Sequence, residues 1–230
     1  MPDRAYLVAS NDPEAYPSWR EPFSSKEQLI AKQSYSVPSL WFALFRPGDM
    51  KTLTLREGDN EETRMAPVAT VEDALANLRA SGEVICAMNP GFDFGGYAEL
   101  LAEAVESSGM KYITIEFEEI EGLCEDPIRY RMEVMEALRT LAGEVPPMDR
   151  EKHLAQQAKN QNNGARDVGD MEPEPQATVL FIGLYEEDTL PPADVVRTQG
   201  LDGLSDGQCR CFGDAIGASC WRDTPWDKRG

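Results

Sequence analysis

The sequence has one histidine and nowhere a run of about 18 apolar residues, the minimum for a membrane-spanning helix. The histidine, His153, lies in a polar segment, which leaves Ser–His–Asp catalysis with a poorly placed general base. The first residues reach acidic side chains without the apolar stretch of a signal peptide. The sequence therefore predicts a cytoplasmic protein with no membrane association.

Cysteine is also sparse, and its spacing does not favour a metal site. The five cysteines are an odd number, and only Cys209 and Cys211 lie close together, with Cys220 nine residues later. Structural zinc sites usually need a pair spaced by two to four residues and a second pair of Cys or His. No thiolate–histidine motif is present either. We predict reduced thiols, no metal site and no cofactor.

Basic residues are scarce in the middle of the chain. The formal net charge is −19, from 22 basic and 41 acidic side chains. Residues 1–55 are neutral, residues 56–149 carry −14 and residues 150–230 carry −5. An acidic surface repels phosphate backbones, which argues against direct binding of nucleic acid. It is compatible with docking onto a basic protein or with mimicry of nucleic acid.

Local patterns predict strands and helices in one domain. Apolar or alternating runs indicate strands at 5–10, 51–55, 111–117 and 177–185. The stretch 38–45, the most hydrophobic of the chain, fits either a buried helix or a strand. We predict an α/β fold, with α+β as the alternative, in which helices flank a mixed sheet.

Three helices are predicted from apolar residues at helical spacing. The first begins at Thr70 and ends at Gly82, the second contains Tyr97 and ends near Gly109, and the third follows Asp126 and Pro127 as N-cap and first helical residue. The third ends at Gly143. Its predicted apolar stripe is Ile128, Met132, Met135, Leu138 and Leu141 or Ala142.

The segment 148–176 is polar and rich in Gln, Asn, Glu and Pro. Such a composition cannot bury enough apolar surface to order itself, so we predict a mobile insertion. The predicted organisation is a main domain at 1–147, the insertion at 148–176, and a segment at 177–230 that completes the same domain.

A glycine-rich turn at 89–96 leads into the second helix and superficially resembles a phosphate cradle. No lysine follows it, and Asp93 and Glu99 would repel a phosphate. We interpret the turn as a tight connection between two elements.

The acidic residues of the middle region follow a pattern. Glu99, Glu103 and Glu106 lie at i, i+4 and i+7 of the second helix, and Glu116 and Glu118 alternate with the apolar face of the next strand. Lys111 is the only basic residue between Glu83 and Arg129. A solvated surface explains such a run, but like charges at i and i+4 slightly destabilise a helix. We therefore predict that these five glutamates bind a partner.

Two segments, Asp3–Val8 and Val37–Phe45, resemble a loose group of uncharacterised bacterial cytosolic proteins. Members of that group open with a similar Arg-Ala/Ser-Tyr-Leu strand and carry a similar Pro-x-Leu-Trp-x-Ala-Leu-Phe block. Several look like immunity proteins encoded beside contact-dependent antibacterial toxins. The resemblance covers about the first fifth of the chain and implies no catalytic residues. It implies that the protein plugs the active site of a basic toxin such as a nuclease.

The function expected from the sequence is a non-enzymatic, cytosolic binding protein of the immunity type, whose partner is a cognate toxin or another basic protein. Two alternatives stay open. One is a small hydrolase that uses paired carboxylates or a thiol. The other is a regulatory or adaptor subunit whose polar insertion folds on a partner.

Overall fold

The computed structural model describes residues 4–15, 27–57, 60–124, 126–149, 151–152, 155, 178–182, 190–201 and 204–217. Its centre is a five-stranded sheet of strands β1 (Arg4–Ser10), β2 (Glu27–Ser34), β3 (Met50–Glu57), β4 (Asn60–Thr70) and β5 (Tyr112–Glu116). The strand order is β2-β1-β5-β4-β3, and all neighbours are antiparallel. The predicted class, a single α/β domain with helices flanking a sheet, is confirmed, but the prediction of a mixed sheet is wrong, because every strand pairing is antiparallel. Of the predicted strands, 5–10, 51–55 and 111–117 correspond to β1, β3 and β5.

The helices in the described ranges are α1 (Ser39–Phe42), α2 (Val71–Ala80), α3 (Gly82–Met88), α4 (Phe94–Ser107), α5 (Glu118–Leu123), α6 (Pro127–Leu141), α7 (Ala193–Gln199) and α8 (Asp206–Ile216). None of these helices combines the length and the apolar character that crossing a bilayer requires. Short 3-10 turns lie at Pro47–Asp49 and Thr178–Leu180.

Side-chain caps fix the starts of the three predicted helices. Thr70, Asp93 and Asp126 each accept a hydrogen bond from the backbone N–H three residues later. This contact satisfies one of the N–H groups that the first turn of a helix leaves without a partner. The predicted start of α6, with Asp126 as N-cap and Pro127 as first residue, is confirmed.

Gly82 begins a helix, although the sequence predicts that it ends one. The chain stays helical at Ser81, the C-cap of α2, and continues directly into α3. A Cβ at Gly82 would lie 2.9 Å from Cε1 of Phe94. The residue is therefore suited to a close approach between α3 and α4 rather than to a chain reversal.

The hydrophobic stretch 38–45 forms α1 and the turn after it, and both are buried. Each side chain from Leu40 to Phe45 has no exposed surface. The N–H groups of Trp41, Ala43, Leu44 and Phe45 each donate to the carbonyl three residues before. The turn therefore provides hydrogen-bond partners for its own backbone N–H and carbonyl groups, which a segment without access to water requires.

The predicted strand at 177–185 is wrong over the residues that the structure describes. Thr178–Leu180 form a 3-10 turn, and Leu180, Phe181 and Ile182 are buried in the core. The side chain of Asn89 takes the place of a neighbouring strand. Its Nδ2 donates to the Leu180 carbonyl at 2.9 Å, and its Oδ1 accepts from the Ile182 N–H at 2.7 Å. Ala177 and residues 183–185 lie outside the described ranges.

The predicted apolar stripe of α6 is wrong in its first half. Ile128 is 69% exposed and Met132 is 48% exposed. The buried apolar residues of the helix are Val134, Ala137, Leu138 and Leu141, which are spaced i, i+3, i+4 and i+7. The helix is therefore turned so that Tyr130 and the apolar residues of its second half pack on the core, while Ile128 and Met132 face solvent.

Most of the predicted insertion at 148–176 lies outside the described residues, and the three domain boundaries stay predictions. The described parts of the C-terminal segment belong to the main core. Phe212 and Ile216 of α8 lie in the same buried cluster as Leu7 of β1 and Trp41 of α1.

Candidate functional site

The sheet divides where β4 leaves β5. Strand β4 pairs with β5 only at Val68, Ala69 and Thr70, whereas its residues 60–67 pair with β3 alone. Pro67 has no N–H to donate to a neighbouring strand and lies at the point of separation. The end of β5 continues to pair with β1. A cleft therefore opens between the first half of β4 and the end of β5.

The cleft has a volume of about 80 Å³. Small-molecule pockets usually have roughly 300–1,000 Å³, so this cleft has room for a few water molecules rather than a substrate. Two arginines and two glutamates contribute to the lining, which consists of Thr63, Arg64, Met65, Ala66, Ile115, Phe117, Glu118, Glu121 and Arg131.

Arg64 connects the two sides of the cleft. Its Nη1 donates to Oε1 of Glu116 at 2.8 Å and to Oε2 of Glu118 at 3.4 Å. The backbone N–H of Glu118 also donates to Oε1 of Glu116, at 2.8 Å. Strands β4 and β5 are thus joined by an ion pair at the level where their backbone pairing has ended.

Glu116 is an unusually placed carboxyl group. Its side chain is 1% exposed, and within the described part of the chain its Oε2 has no hydrogen-bond partner. Burial disfavours the charged form and raises the pKa of Glu116 to about 7, although Arg64 and the Glu118 N–H act in the opposite direction. Desolvation therefore outweighs the attraction of the arginine.

The other acidic residues of α5 also have structural partners. Glu121, which is 9% exposed, forms an ion pair with Nε of Arg131 on α6. Oε2 of Glu119 accepts from the Arg4 N–H at 2.8 Å and so connects α5 to the start of β1. These glutamates hold α5 in place between β1 and α6.

Four exposed apolar side chains lie on the elements that border the cleft. Met65, in the cleft lining, is 43% exposed, Leu123 at the end of α5 is 50% exposed, and Ile128 and Met132 are exposed on α6. We call these four residues the α5–α6 patch. Of the five large apolar side chains that stand exposed in the described ranges, only Tyr35 lies outside it. Ile128 and Met132 are neighbours at i and i+4 of α6, and adjacent exposed apolar side chains are a usual mark of an interaction site.

The predicted acidic residues of α4 form a second surface, whose negative charge is partly compensated by Arg197. Glu99, Glu103 and Glu106 are all exposed. Nη2 of Arg197 on α7 lies 3.1 Å from a carboxylate oxygen of Glu99 and 3.2 Å from one of Glu103. This arginine is 94 residues from Glu103 in sequence, so no local pattern could indicate it. The repulsion expected along α4 is therefore reduced.

We expect the substitution Arg197→Gln to lower the free energy of unfolding by less than about 1 kcal/mol, because exposed ion pairs contribute little. The loss should be largest at low salt, where the glutamates of α4 repel one another, and should shrink in 1 M NaCl, where the screening length is about 3 Å. Urea unfolding at both salt concentrations measures this. A loss of 2 kcal/mol or more that persists at high salt would instead assign a packing role to Arg197.

The structure separates the five predicted residues into two groups. Glu99, Glu103 and Glu106 lie on α4, whereas Glu116 and Glu118 share Arg64 at the cleft. The expectation that Glu116 contributes to an exposed acidic face is wrong, because the side chain is buried on the sheet. Glu118 is 37% exposed and stays accessible.

Sequence reasoning missed Arg64 because it missed β4, whose proline interrupts the strand pattern. The available signal was the isolation of this arginine, which is the only basic residue between Arg56 and Arg79.

Of the cysteines near the C-terminus, Cys209 is half-buried, Cys211 is buried, and Cys220 lies outside the described residues. Among described residues, no group of three His, Cys, Asp or Glu side chains is arranged to hold a metal ion.

Comparisons with protein-family models, with curated protein sequences and with solved structures found no match.

Proposed function

We propose that this protein is a non-enzymatic binding protein of the immunity type, which neutralises a basic cognate toxin in the bacterial cytoplasm. The observation that carries the proposal is the excess of acidic over basic side chains in the middle of the chain, where residues 56–149 hold 21 acidic and seven basic side chains. A surface of one sign attracts an oppositely charged protein over long distances and repels nucleic acid.

The exposed face of α4 supports a steering role. Glu99, Glu103 and Glu106 are directed to solvent from one helix, with Arg197 as a compensating charge at 38% exposure. Charges at the rim of an interface act mainly on the association rate and its dependence on salt. In this proposal α4 accelerates the encounter with the toxin and does not need to be buried in the complex.

One observation favours the rival function, a hydrolase with paired carboxylates. Glu116 and Glu118 share one arginine, and burial raises the pKa of Glu116 to about 7, as a general acid requires. A catalytic group must nevertheless reach its substrate within about 3 Å. Glu116 is 1% exposed and is not among the residues that line the cleft. The binding function is therefore the better supported of the two.

The proposal is tested by expressing each gene adjacent to this one in its source genome, alone and together with this protein. We expect one neighbour to arrest growth and this protein to restore it through a stable complex. The triple variant Glu99→Gln, Glu103→Gln, Glu106→Gln should associate with that toxin about tenfold more slowly at low salt, with an unchanged dissociation rate.

The control is a second triple variant with the same change in net charge, Glu14→Gln, Glu72→Gln, Glu83→Gln, at exposed positions outside α4. Equal slowing by both triples would mean that net charge alone steers the partner. If no neighbouring product is toxic, or if this protein gives no protection, the immunity function is wrong.

A further inference from the structure

The first half of α6 presents apolar side chains to water. Ile128 and Met132 are 69% and 48% exposed and lie at i and i+4, so they are adjacent on one face of the helix. Neither side chain is required by the core, because the buried residues of α6 begin at Val134. This exposure costs solubility and contributes nothing to the fold, which indicates that something else uses the surface.

The other two members of the α5–α6 patch lie around the same ion pair. Glu121 of α5 pairs with Arg131, which is the neighbour of Met132 in sequence. Met65 lines the cleft together with these two residues, and Leu123 ends the helix that carries Glu121. The patch therefore spans β4, α5 and α6, elements that the ion pairs hold in fixed positions.

The charge around the patch defines what it can accept. Among residues 116–136 the structure describes five acidic side chains that are at least partly exposed and two exposed basic ones, whereas Glu116 and Glu121 are buried. The five acidic residues are Glu118, Glu119, Asp126, Glu133 and Glu136, and the two basic ones are Arg129 and Arg131. Of the two basic ones, Arg131 is paired with Glu121. Apolar side chains within an acidic surrounding match a partner segment that has apolar side chains flanked by lysine or arginine, whereas a second copy of this acidic chain would be repelled.

We propose that the α5–α6 patch is the docking surface for a basic, amphipathic segment of a partner protein. Apolar side chains of that segment pack on Ile128 and Met132, and its lysine or arginine side chains pair with the acidic residues around them. The inference deepens the proposed function, on which it rests for the identity of the partner. The patch governs the lifetime of the complex, whereas the α4 face governs the encounter.

The test uses a synthetic peptide, so that it does not depend on finding the toxin. The probe is a helical peptide of about 14 residues with leucine on one face and lysine on the other, and its control has alanine in place of leucine. We expect the leucine peptide to bind the protein at least about tenfold more tightly than it binds the double variant Ile128→Gln, Met132→Gln. Fluorescence anisotropy at moderate salt measures both affinities.

The matched control is Tyr35→Asn, which removes the one large apolar side chain that is exposed outside the patch in the described ranges. Tyr35 has a φ of 66°, a conformation that asparagine tolerates well, so this variant should fold and bind like the wild type. In protein labelled at the methionine methyl carbons, the peptide should shift the signals of Met65 and Met132 and leave that of the buried Met88 in place.

Three results would overturn the proposal: equal affinity of the double variant, equal affinity of the alanine peptide, or self-association of the wild type through the patch without peptide. If the double variant fails to fold, Ile128→Lys tests the same surface, since it should repel the basic peptide. Failure of toxin protection together with peptide binding at the patch would reject the immunity function and leave the docking surface standing.

Discussion

Replacing Trp41 by alanine is expected to lower the free energy of unfolding by about 3–5 kcal/mol. The indole is completely buried, and its Nε1–H donates to the carbonyl of Ile216 at 2.8 Å. Alanine would leave a cavity in the centre of the core and a buried carbonyl without its donor. Because Ile216 belongs to α8, the same substitution should loosen the attachment of that helix. Chemical unfolding followed by circular dichroism measures the loss.

Two further variants separate the parts of this effect. Trp41→Phe keeps most of the volume and removes the hydrogen bond, so it should cost less than Trp41→Ala. Gly217 has a φ of +83°, and a Cβ there would lie 2.5 Å from Cζ2 of Trp41. Gly217→Ala should therefore cost at least about 1 kcal/mol more than Gly109→Ala, whose φ is also positive but whose surroundings are open. A loss below about 1 kcal/mol for Trp41→Ala would contradict the docking of α8 on α1.

The elements that sequence reasoning found are those whose signals are local. The N-caps at Thr70 and Asp126 act on the N–H three residues later, and β1 and β5 are short apolar runs bounded by polar turns. In each case the residues that define the element also supply its contacts. Such elements can be identified without knowledge of the rest of the chain.

The missed elements depend on residues that are far apart in sequence. Strand β2 shows little alternation of polar and apolar residues and is specified by its pairing with β1. Strand β4 was missed because Pro67 interrupts its strand pattern, although Pro67 lies next to the residues of β4 that pair with β5. The predicted strand at 177–185 fails because Asn89, about 90 residues earlier, supplies its hydrogen bonds. These outcomes are decided by tertiary contacts.

The candidate site shows the same division. The glutamates of α4 could be placed on one exposed face by helical periodicity alone, and the structure places them there. The sequence could not pair Arg197 with the glutamates of α4, or Arg64 with Glu116, because these arginines come from α7 and β4, which are distant in sequence from their acidic partners. The rotation of α6 that exposes Ile128 was equally hidden, since an apolar residue at helical spacing is normally buried.

Glu116 should make the protein less stable as the pH rises from about 4.5 to about 7. Its pKa is raised from 4.5 to about 7 in the folded protein, so the folded state holds the proton more tightly than the unfolded chain does. The stabilisation is complete below the unfolded pKa and is lost as the pH rises through the folded pKa. A shift of this size corresponds to about 3 kcal/mol.

The measurement compares the wild type with Glu116→Gln in guanidinium unfolding at pH 4 and pH 8. Glutamine cannot ionise, so the difference in unfolding free energy between the two proteins should change by about 3 kcal/mol between these conditions, with the wild type losing stability. Any fixed cost of leaving Arg64 beside a neutral amide is present at both pH values and cancels. Glu106→Gln, at an exposed position, provides the baseline for the loss of one negative charge. An unchanged difference, together with a carboxyl carbon titration near pH 4.5, would show that Arg64 and the Glu118 N–H outweigh desolvation and that the pair at the cleft is permanently ionised.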